Sequence, residues 1–249
     1  MKKLFLKHIT SYTYLNPVVE SSNKILLYPY NDVNQQVVSH EIEISENPKI
    51  FTYLDNFNNR VGFFSYSLPH KKLVITSSAE IIKKKNEFPF SKLSANDQWT
   101  FYSKNDLNPN YIAFLRSKKF KYESEALWLI SDLKAKNDSP LELLLKLCNY
   151  IYNNFKYKKG VTDIYTSLDK VWEIKSGVCQ DFANVLIKLC NIIHIPARYV
   201  SGYIFTEKKY RGYNATHAWV EALIPGYGWI GLDPTNKDRK STRLNSSHQ

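Results

Sequence analysis

The sequence predicts an α+β protein, with an N-terminal antiparallel β-sandwich-like domain followed by a region that combines helices with a hairpin. Short alternating runs at 37–44, 60–66 and 73–78 are separated by turn residues, as in antiparallel sheets with one buried face. After residue 136, longer segments place apolar residues at helical spacing. A chain of 249 residues is long enough for two modest domains, each with its own core.

We divide the chain into four parts. Residues 1–80 form the β-rich domain, 81–135 a connector with short helices, and 136–237 the region that carries the candidate site. The connector begins with the basic, polar stretch 81–95, and short helices are predicted at 110–116 and 123–134. Residues 238–249 form a tail.

The clearest helix start in the chain is at Ser139. Ser139-Pro140-Leu-Glu142 combines a capping residue, a proline at the first helical position and a glutamate at the third. Apolar residues continue on one face to Phe155. We expect this helix to pack beside the helix that follows Gly177.

Cys179 is predicted to lie in the first turn of that second helix. Gly177 precedes it, and apolar residues follow at helical spacing until Pro196. The unpaired N–H groups and the helix dipole at such a position favour a thiolate, and the Cys179 N–H can form half of an oxyanion hole. The alternative is a small buried hydrophobic residue, which fits Cys148 and Cys190 better because both lie within apolar stripes.

His217 and Asp233 are predicted to lie on the two strands of one hairpin. Residues 217–224 alternate like a strand, 225–228 form a turn, and 229–233 return before a proline. A neighbouring carboxylate can fix the tautomer of a histidine and stabilise its imidazolium form. A four-residue loop places the two side chains on opposite faces, so we predict a bulge or a different loop register. A purely structural role is the alternative for His217.

Three neighbours of Cys179 each have two interpretations. Trp172 either lines the site or is a core aromatic residue, and the core role is favoured. Asp181 either assists proton movement or stabilises the helix start, and the second is the simpler account. Gln180 either lines the pocket or faces solvent. None of the three is included in the predicted catalytic set.

Several segments together resemble the transglutaminase-like superfamily, most closely its bacterial members described as candidate cysteine proteases. They are GVCQDFA from Gly177, PARYVSGY from Pro196, THAWVE from Thr216 and GWIGLDPTN from Gly228. Residues 155–162 resemble the family's approach to the catalytic helix. In the N-terminal part, the segments 8–19, 27–29 and 55–61 resemble the β-rich domain that precedes the core in these bacterial proteins.

The resemblance implies a papain-like transglutaminase core with Cys179 as nucleophile, His217 as base and Asp233 as the residue that orients it. It implies acyl transfer on peptide or protein amides, with hydrolysis favoured by the likeness. Transamidation of protein glutamine, or a non-enzymatic peptide-binding scaffold with a vestigial triad, are the alternatives. Asn184 stands where these relatives commonly carry histidine. The isolated His8, His40 and His70 of the first part are interpreted as structural or surface residues.

The tail resembles an in-frame translation of a common sequencing-adapter oligonucleotide and has no apolar periodicity. We interpret it as an adapter-derived artefact and expect the natural chain to continue past Lys237. A natural polar tail is the alternative. Two arginines and one lysine against Asp238 contribute a net +2 to the formal charge of +11.

Composition narrows the function classes further. The lysines form short scattered groups that indicate solvated faces, and no recognition motif predicts a specific nucleic-acid partner. Three widely spaced cysteines form neither a disulfide framework nor a metal motif, so we expect no metal and no cofactor. The sequence has no apparent signal peptide and no membrane-spanning run. We therefore expect a cytoplasmic enzyme that acts on peptide or protein substrates away from membranes, and the sequence leaves its oligomeric state open.

Overall fold

The computed structural model describes residues 1–32, 34–84, 92–105, 108–115, 119–205, 211 and 216–237, together with the backbone of 242–248. The chain divides into two compact units, Met1–Glu87 with Thr242–Gln249 and Phe88–Ser241. Within the described ranges no helix is long and apolar enough to cross a membrane.

The first unit contains two antiparallel three-stranded sheets, with strand orders β1-β6-β3 and β2-β5-β4. Each of the three predicted alternating runs lies within a strand, and the less exposed residues of each run largely alternate with more exposed ones. Apolar residues of both sheets form one shared core: Ile25, Ile44, Phe64, Tyr66, Leu73 and Ile75. The strands are β1 (Lys2–Val18), β2 (Ser21–Ile25), β3 (Gln35–Ile44), β4 (Phe51–Leu54), β5 (Arg60–Tyr66) and β6 (His70–Lys83).

The connector predicted from residue 81 begins later than expected. Residues 81–83 belong to β6, and Ile81 is fully buried. The basic composition of this stretch suggested a loop, but β6 is the central strand of its sheet. Ile81 therefore has a paired neighbour on each side, Leu4 on β1 and Val37 on β3.

The second unit surrounds an antiparallel sheet with helices. Its strands β9, β10 and β11 follow one another as antiparallel neighbours, and the short strands β7 and β8 pair in parallel. The helices are α1 (Ala95–Asn105), α2 (Pro109–Leu115), α3 (Glu123–Leu133), α4 (Pro140–Asn154), α5 (Leu168–Ile174) and α6 (Cys179–Ile192). The strands are β7 (Lys156–Tyr157), β8 (Ser176–Gly177), β9 (Ala197–Phe205), β10 (His217–Ile224) and β11 (Gly228–Leu232).

Most of the residues of helix α6 are buried within this unit. It packs against β9 and β10 on one side and against α3, α4 and α5 on the others. Its buried side chains have almost no exposed surface and include Phe182, Ala183, Val185, Leu186 and Leu189. Burial of several large apolar side chains, each contributing about 1.5–3 kcal/mol, fixes the position of the first residue of α6.

The tail contains one further strand, β12 (Thr242–His248), where the sequence predicts no regular element. A strand is held by main-chain hydrogen bonds, which do not require apolar side chains at alternate positions. Apolar periodicity is therefore a poor guide to an added strand. The interpretation of the tail as adapter-derived stays a prediction.

Helix α4 begins as predicted, with both hydrogen bonds of a capping box. The Ser139 hydroxyl accepts from the Glu142 backbone N–H at 3.3 Å, and the Glu142 carboxylate accepts from the Ser139 N–H at 2.7 Å. Pro140 occupies the first helical position. The helix then lies against α6, so its start contributes to the support of the candidate site.

Replacing Ser139 by alanine is expected to lower the free energy of unfolding by about 1 kcal/mol, because the cap hydrogen bond is lost. Urea unfolding followed by circular dichroism measures this change. Lys136→Ala, an exposed substitution three residues earlier, is the control and is expected to change stability by less than about 0.5 kcal/mol. Equal effects of the two substitutions would contradict the assigned cap.

Candidate active site

Cys179 is the first residue of α6, and it is the cysteine best placed to react. Its side chain is partly exposed, whereas Cys148 and Cys190 are buried. Burial also raises the pKa of the Cys190 thiol, which keeps that thiol protonated. The backbone N–H groups of Cys179 and Gln180 lie in the first helical turn, where an α-helix provides no internal acceptor.

The backbone before Cys179 is held by Asp181. The Asp181 carboxylate Oδ2 accepts a hydrogen bond from the Val178 N–H at 2.8 Å and another from the Thr162 hydroxyl at 2.7 Å. The carboxylate lies so close to Gly177 that a Cβ there would come within 2.5 Å of Oδ2. The glycine is therefore required by close packing, and the interpretation of Asp181 as a residue of the helix start is confirmed.

His217 is the first residue of β10 and is almost completely buried, with 3% of its surface exposed. It lies opposite Gly202 on β9. Its ring is stacked with that of Trp219, the next residue on the same face of the strand, with 6.4 Å between ring centroids. Pairing and stacking together restrict the imidazole to one place.

Asp233 lies on the same side of the hairpin as His217 because the loop is one residue shorter than the sequence suggested. Ile224 pairs with Gly228, which leaves three connecting residues. Continuing this register places Asp233 opposite Trp219, which shares a face with His217. The different loop register predicted from parity is therefore present.

The turn itself explains the shorter loop. The Tyr227 N–H donates to the Ile224 carbonyl at 2.9 Å, and Gly226 has a φ of 82°. With Pro225 before it, this is the geometry of a type II turn, which needs glycine at its third residue. Gly228 also has a positive φ, 77°, and it enters the strand as its first residue.

The carboxylate of Asp233 is fully satisfied although only 1% of the residue is exposed. Oδ2 accepts from His217 Nε2 at 2.9 Å and from Asn236 Nδ2 at 3.1 Å, while Oδ1 accepts from the backbone N–H groups of Thr235 and Asn236. The Asn236 side-chain oxygen accepts in turn from the Arg211 N–H at 2.8 Å. A buried carboxylate is stable only with such partners.

Two neighbours of the His217 imidazole favour its protonated form. Burial opposes its charged form, but Asp233 and Cys179 outweigh burial and raise the pKa of His217 to about 9. Its Nε2 is engaged by Asp233, and Nδ1 meets no partner of standard hydrogen-bond geometry in the part of the chain that the structure describes. Nδ1 is therefore the nitrogen available to the Cys179 thiol.

Two tyrosines near Cys179 were not identified from the sequence. Burial, and then the electrostatic influence of Cys179 and Asp181, raises the pKa of Tyr157, and the same causes raise the pKa of Tyr199 to about 12. Both phenols therefore stay protonated and can donate hydrogen bonds. Tyr157 is placed by the pairing of β7 with β8, and such long-range pairing has no signal in local sequence.

Thr162 and Asn236 were also missed as supporting residues. The Asp-Pro-Thr-Asn spacing could have indicated Asn236, because an aspartate commonly accepts from backbone N–H groups two and three residues later. Trp172 belongs to the core, as favoured: it is 1% exposed and meets the edges of Phe120 and Phe155. Gln180 is partly exposed, and its role stays open.

The described part of the chain contains no group of three or more His, Cys, Asp or Glu side chains arranged to hold a metal ion. The site contains a partly exposed thiol, a buried imidazole and a buried carboxylate. Asp233 binds His217 at 2.9 Å, and Cys179 lies close enough to His217 to help raise the pKa of the imidazole. Such an arrangement can activate a thiol and protonate a leaving group.

Comparisons with known proteins give two family matches. Residues 129–234 match the transglutaminase-like superfamily, and residues 4–82 match the bacterial transglutaminase-like N-terminal region. An uncharacterized protein of Mycobacterium bovis is 30% identical over 247 residues, which cover 92% of this chain and 77% of that protein.

Two further relatives carry functional descriptions. A crystal structure of a candidate cysteine protease from Cytophaga hutchinsonii aligns with a TM-score of 0.75 and 20% identity, covering 99% of this chain and 84% of that one. This likeness shows a common fold. A protein-glutamine gamma-glutamyltransferase of Pseudomonas aeruginosa is 35% identical over 74 residues, 27% of this chain and 11% of that protein.

The raised pKa of His217 makes stability depend on pH. The unfolded chain releases this proton near pH 6.5 and the folded protein near 9, so the native state binds more protons between these values. The resulting stabilisation is fully present below pH 6.5 and is lost as the pH rises through 9. We expect the free energy of unfolding to fall by on the order of 3 kcal/mol across this window.

Urea denaturation at a series of pH values between 6 and 10 measures this loss. His217→Gln removes the titrating group but leaves the other groups that ionise in this range, so the difference between the two curves isolates His217. If the free energy of unfolding falls with pH equally in the wild type and in His217→Gln, the raised pKa assigned to His217 is wrong.

Proposed function

The chain belongs to the transglutaminase-like superfamily, and from this we propose that it catalyses cysteine-dependent acyl transfer on peptide or protein amides. Cys179 is the nucleophile, His217 the general base and Asp233 the residue that orients the imidazole. The observation that carries the proposal is the position of the buried imidazole, whose pKa is raised by both Asp233 and Cys179. A histidine with a purely structural role does not require a partly exposed thiol beside it.

The first half of the reaction forms a thioester. The His217 imidazole, with its raised pKa, accepts and holds the proton of the Cys179 thiol, and the thiolate attacks the carbonyl carbon of the substrate amide. The oxygen of the tetrahedral intermediate accepts a hydrogen bond from the Cys179 backbone N–H. The imidazolium then protonates the nitrogen, the C–N bond breaks, and the amine leaves. Asp233 stabilises the imidazolium while it carries this proton.

The second half of the reaction releases the enzyme. A water molecule or an amine gives its proton to His217 and attacks the thioester carbonyl, and the thiolate leaves and is reprotonated. Water yields a carboxylic acid, and an amine yields a new amide. We propose hydrolysis, since one relative of known structure that aligns over nearly the whole chain is described as a candidate cysteine protease. Family likeness is the support for this choice.

Transamidation is the second candidate, and the short match to a protein-glutamine gamma-glutamyltransferase favours it. The two reactions share every step up to the thioester, so the triad does not discriminate between them. Access of water or amine to the thioester decides the product. A non-enzymatic peptide-binding scaffold is the third candidate, and the intact Cys-His-Asp set argues against it.

The compartment and the partners are part of the proposal. A reducing cytoplasm keeps Cys179 as a free thiol, so we propose a cytoplasmic enzyme whose partners are peptide or protein substrates. Fractionation of cells that express the tagged chain tests this, and recovery of the protein in the periplasm would contradict it.

Alkylation of Cys179 by iodoacetamide at neutral pH discriminates an enzyme from a scaffold. In an activated site the wild-type thiol is expected to react at least about tenfold faster than in His217→Ala, because the imidazole stabilises the thiolate. Mass spectrometry of the tryptic peptide that contains residue 179 measures the rate. Buried Cys148 and Cys190 are internal controls and stay unlabelled. Equal, slow labelling in both proteins would favour the scaffold.

A peptide library incubated with and without an added primary amine identifies the acceptor. Hydrolysis predicts new carboxyl groups whose yield does not depend on the added amine. Transamidation predicts products whose mass exceeds that of the peptide by the mass of the amine less the mass of ammonia. Cys179→Ala is expected to abolish both, since the nucleophile is absent. Turnover by Cys179→Ala equal to that of the wild type would contradict the proposed mechanism.

A further inference from the structure

Asp181 is a buried acid that the reaction steps do not use. The residue is 5% exposed, although a carboxylate is costly to bury. Its Oδ2 accepts from the backbone N–H of Val178 and from the hydroxyl of Thr162. Neither donor is a cation, so the carboxylate is held by neutral hydrogen bonds two residues from the nucleophile.

The first of these bonds controls the backbone that carries Cys179. Val178 is the N-cap of α6, and a carboxylate at the third helical position that binds the N-cap N–H fixes the first turn. The carboxylate occupies the space that a side chain at residue 177 would need, since a Cβ there would lie 2.5 Å from its Oδ2. The direction of the Cys179 N–H and side chain therefore depends on where Asp181 is held.

The second bond joins α6 to the preceding loop, residues 158–167. This loop begins with the Lys158 N–H donating to the Gly177 carbonyl at 2.9 Å. It contains a separate internal turn in which the Thr166 hydroxyl donates to Asp163 Oδ1 at 2.8 Å. Thr162 thus binds the catalytic helix, while Thr166 binds within the loop.

Asp181 and Cys179 influence the same two phenols. Burial first, and then both of these residues, raise the pKa of Tyr157 on β7 and of Tyr199 on β9. His217 on β10 interacts with Cys179, and its Nε2 binds Asp233. Asp181 also lines a groove of about 510 Å³ with the charged residues Lys119, Asp169 and Lys188.

We propose that Asp181 is a positioning residue for Cys179 and that Thr162, by donating to its carboxylate, tunes the reactivity of the thiol. The loop 158–167 is then part of the catalytic apparatus without supplying a catalytic residue. The inference rests on the proposed function for its biological meaning, and its primary test needs no substrate.

Two substitutions are expected to shift thiol reactivity in opposite directions. Thr162→Val removes the hydroxyl donor, leaves the negative charge of Asp181 less compensated, and so disfavours a thiolate nearby. Asp181→Asn keeps an oxygen for the Val178 N–H but removes the charge, and so favours the thiolate. The pH at which Cys179 alkylation is half-maximal should rise by about 0.5 unit in the first variant and fall by a similar amount in the second.

The experiment measures the iodoacetamide alkylation rate of Cys179 between pH 4 and 9 in both variants. Thr166→Val is the matched control, since it removes a threonine hydroxyl that binds an aspartate in the same loop. It is expected to leave the profile unchanged, and Thr162→Ser is expected to restore the wild-type profile. Thermal unfolding of each variant checks that the proteins are folded under the assay conditions.

Shifts of the same sign in Thr162→Val and Asp181→Asn would overturn the proposal, as would equal profiles for Thr162→Val and Thr166→Val. If Asp181 and Thr162 have a purely structural role, both variants should be less stable, but their alkylation profiles should not shift in opposite directions. If Asp181→Asn does not fold, the alkylation profiles of Thr162→Val, Thr166→Val and Thr162→Ser still show whether the Thr162 hydroxyl affects the reactivity of Cys179.

The two proposals can fail separately. If the wild type converts no peptide with or without an amine, the proposed function fails, and the alkylation profiles still test the role of Asp181. If a substrate is found, Thr162→Val should lower kcat about fivefold with KM within about twofold, because thiol reactivity changes and substrate binding does not. Unchanged kcat would count against the inference while leaving the proposed function intact.

Discussion

A single hydrogen bond of 2.9 Å joins His217 and Asp233, and both residues are almost completely buried. Neither group is stable in that position alone, because a buried charge without a partner costs several kcal/mol. Each stabilises the other, and Asn236 and two backbone N–H groups satisfy the rest of the carboxylate. The hairpin register, its type II turn and the stacking of His217 with Trp219 all serve to bring these two side chains together.

The third member of the site is placed by different means. Cys179 is held at the start of a helix whose apolar side chains fill the core, so its position follows from packing rather than from a polar partner. The first turn of this helix is held by Asp181, which binds the Val178 N–H and the Thr162 hydroxyl and packs against Gly177. The site therefore joins a packed helix start to a paired hairpin, and sites built on regular elements hold their side chains more precisely than sites built on loops.

Prediction from the sequence succeeded where local chemistry was sufficient. The capping box at Ser139, the helix start at Cys179 and the strand at His217 each follow from a few adjacent residues, and the structure contains all three. The connector from residue 81 was placed too early because lysines after Ile81 concealed a central strand. The strand at 242–248 was not predicted, since its main-chain hydrogen bonds leave no mark in side-chain pattern.

The sequence by itself determined the chemical identity of the site: which thiol lies at a helix start, which histidine begins a strand, and which aspartate ends the next one. Parity also indicated that a four-residue loop without a bulge would place the His217 and Asp233 side chains on opposite faces. Only the tertiary structure decided that the loop has three residues, that the Arg211 N–H donates to the Asn236 side chain, that Thr162 binds Asp181, and that two tyrosines lie near Cys179. The contacts of Arg211 and Thr162 join residues distant in the chain, and their distances depend on the packing of whole elements, which local spacing does not encode.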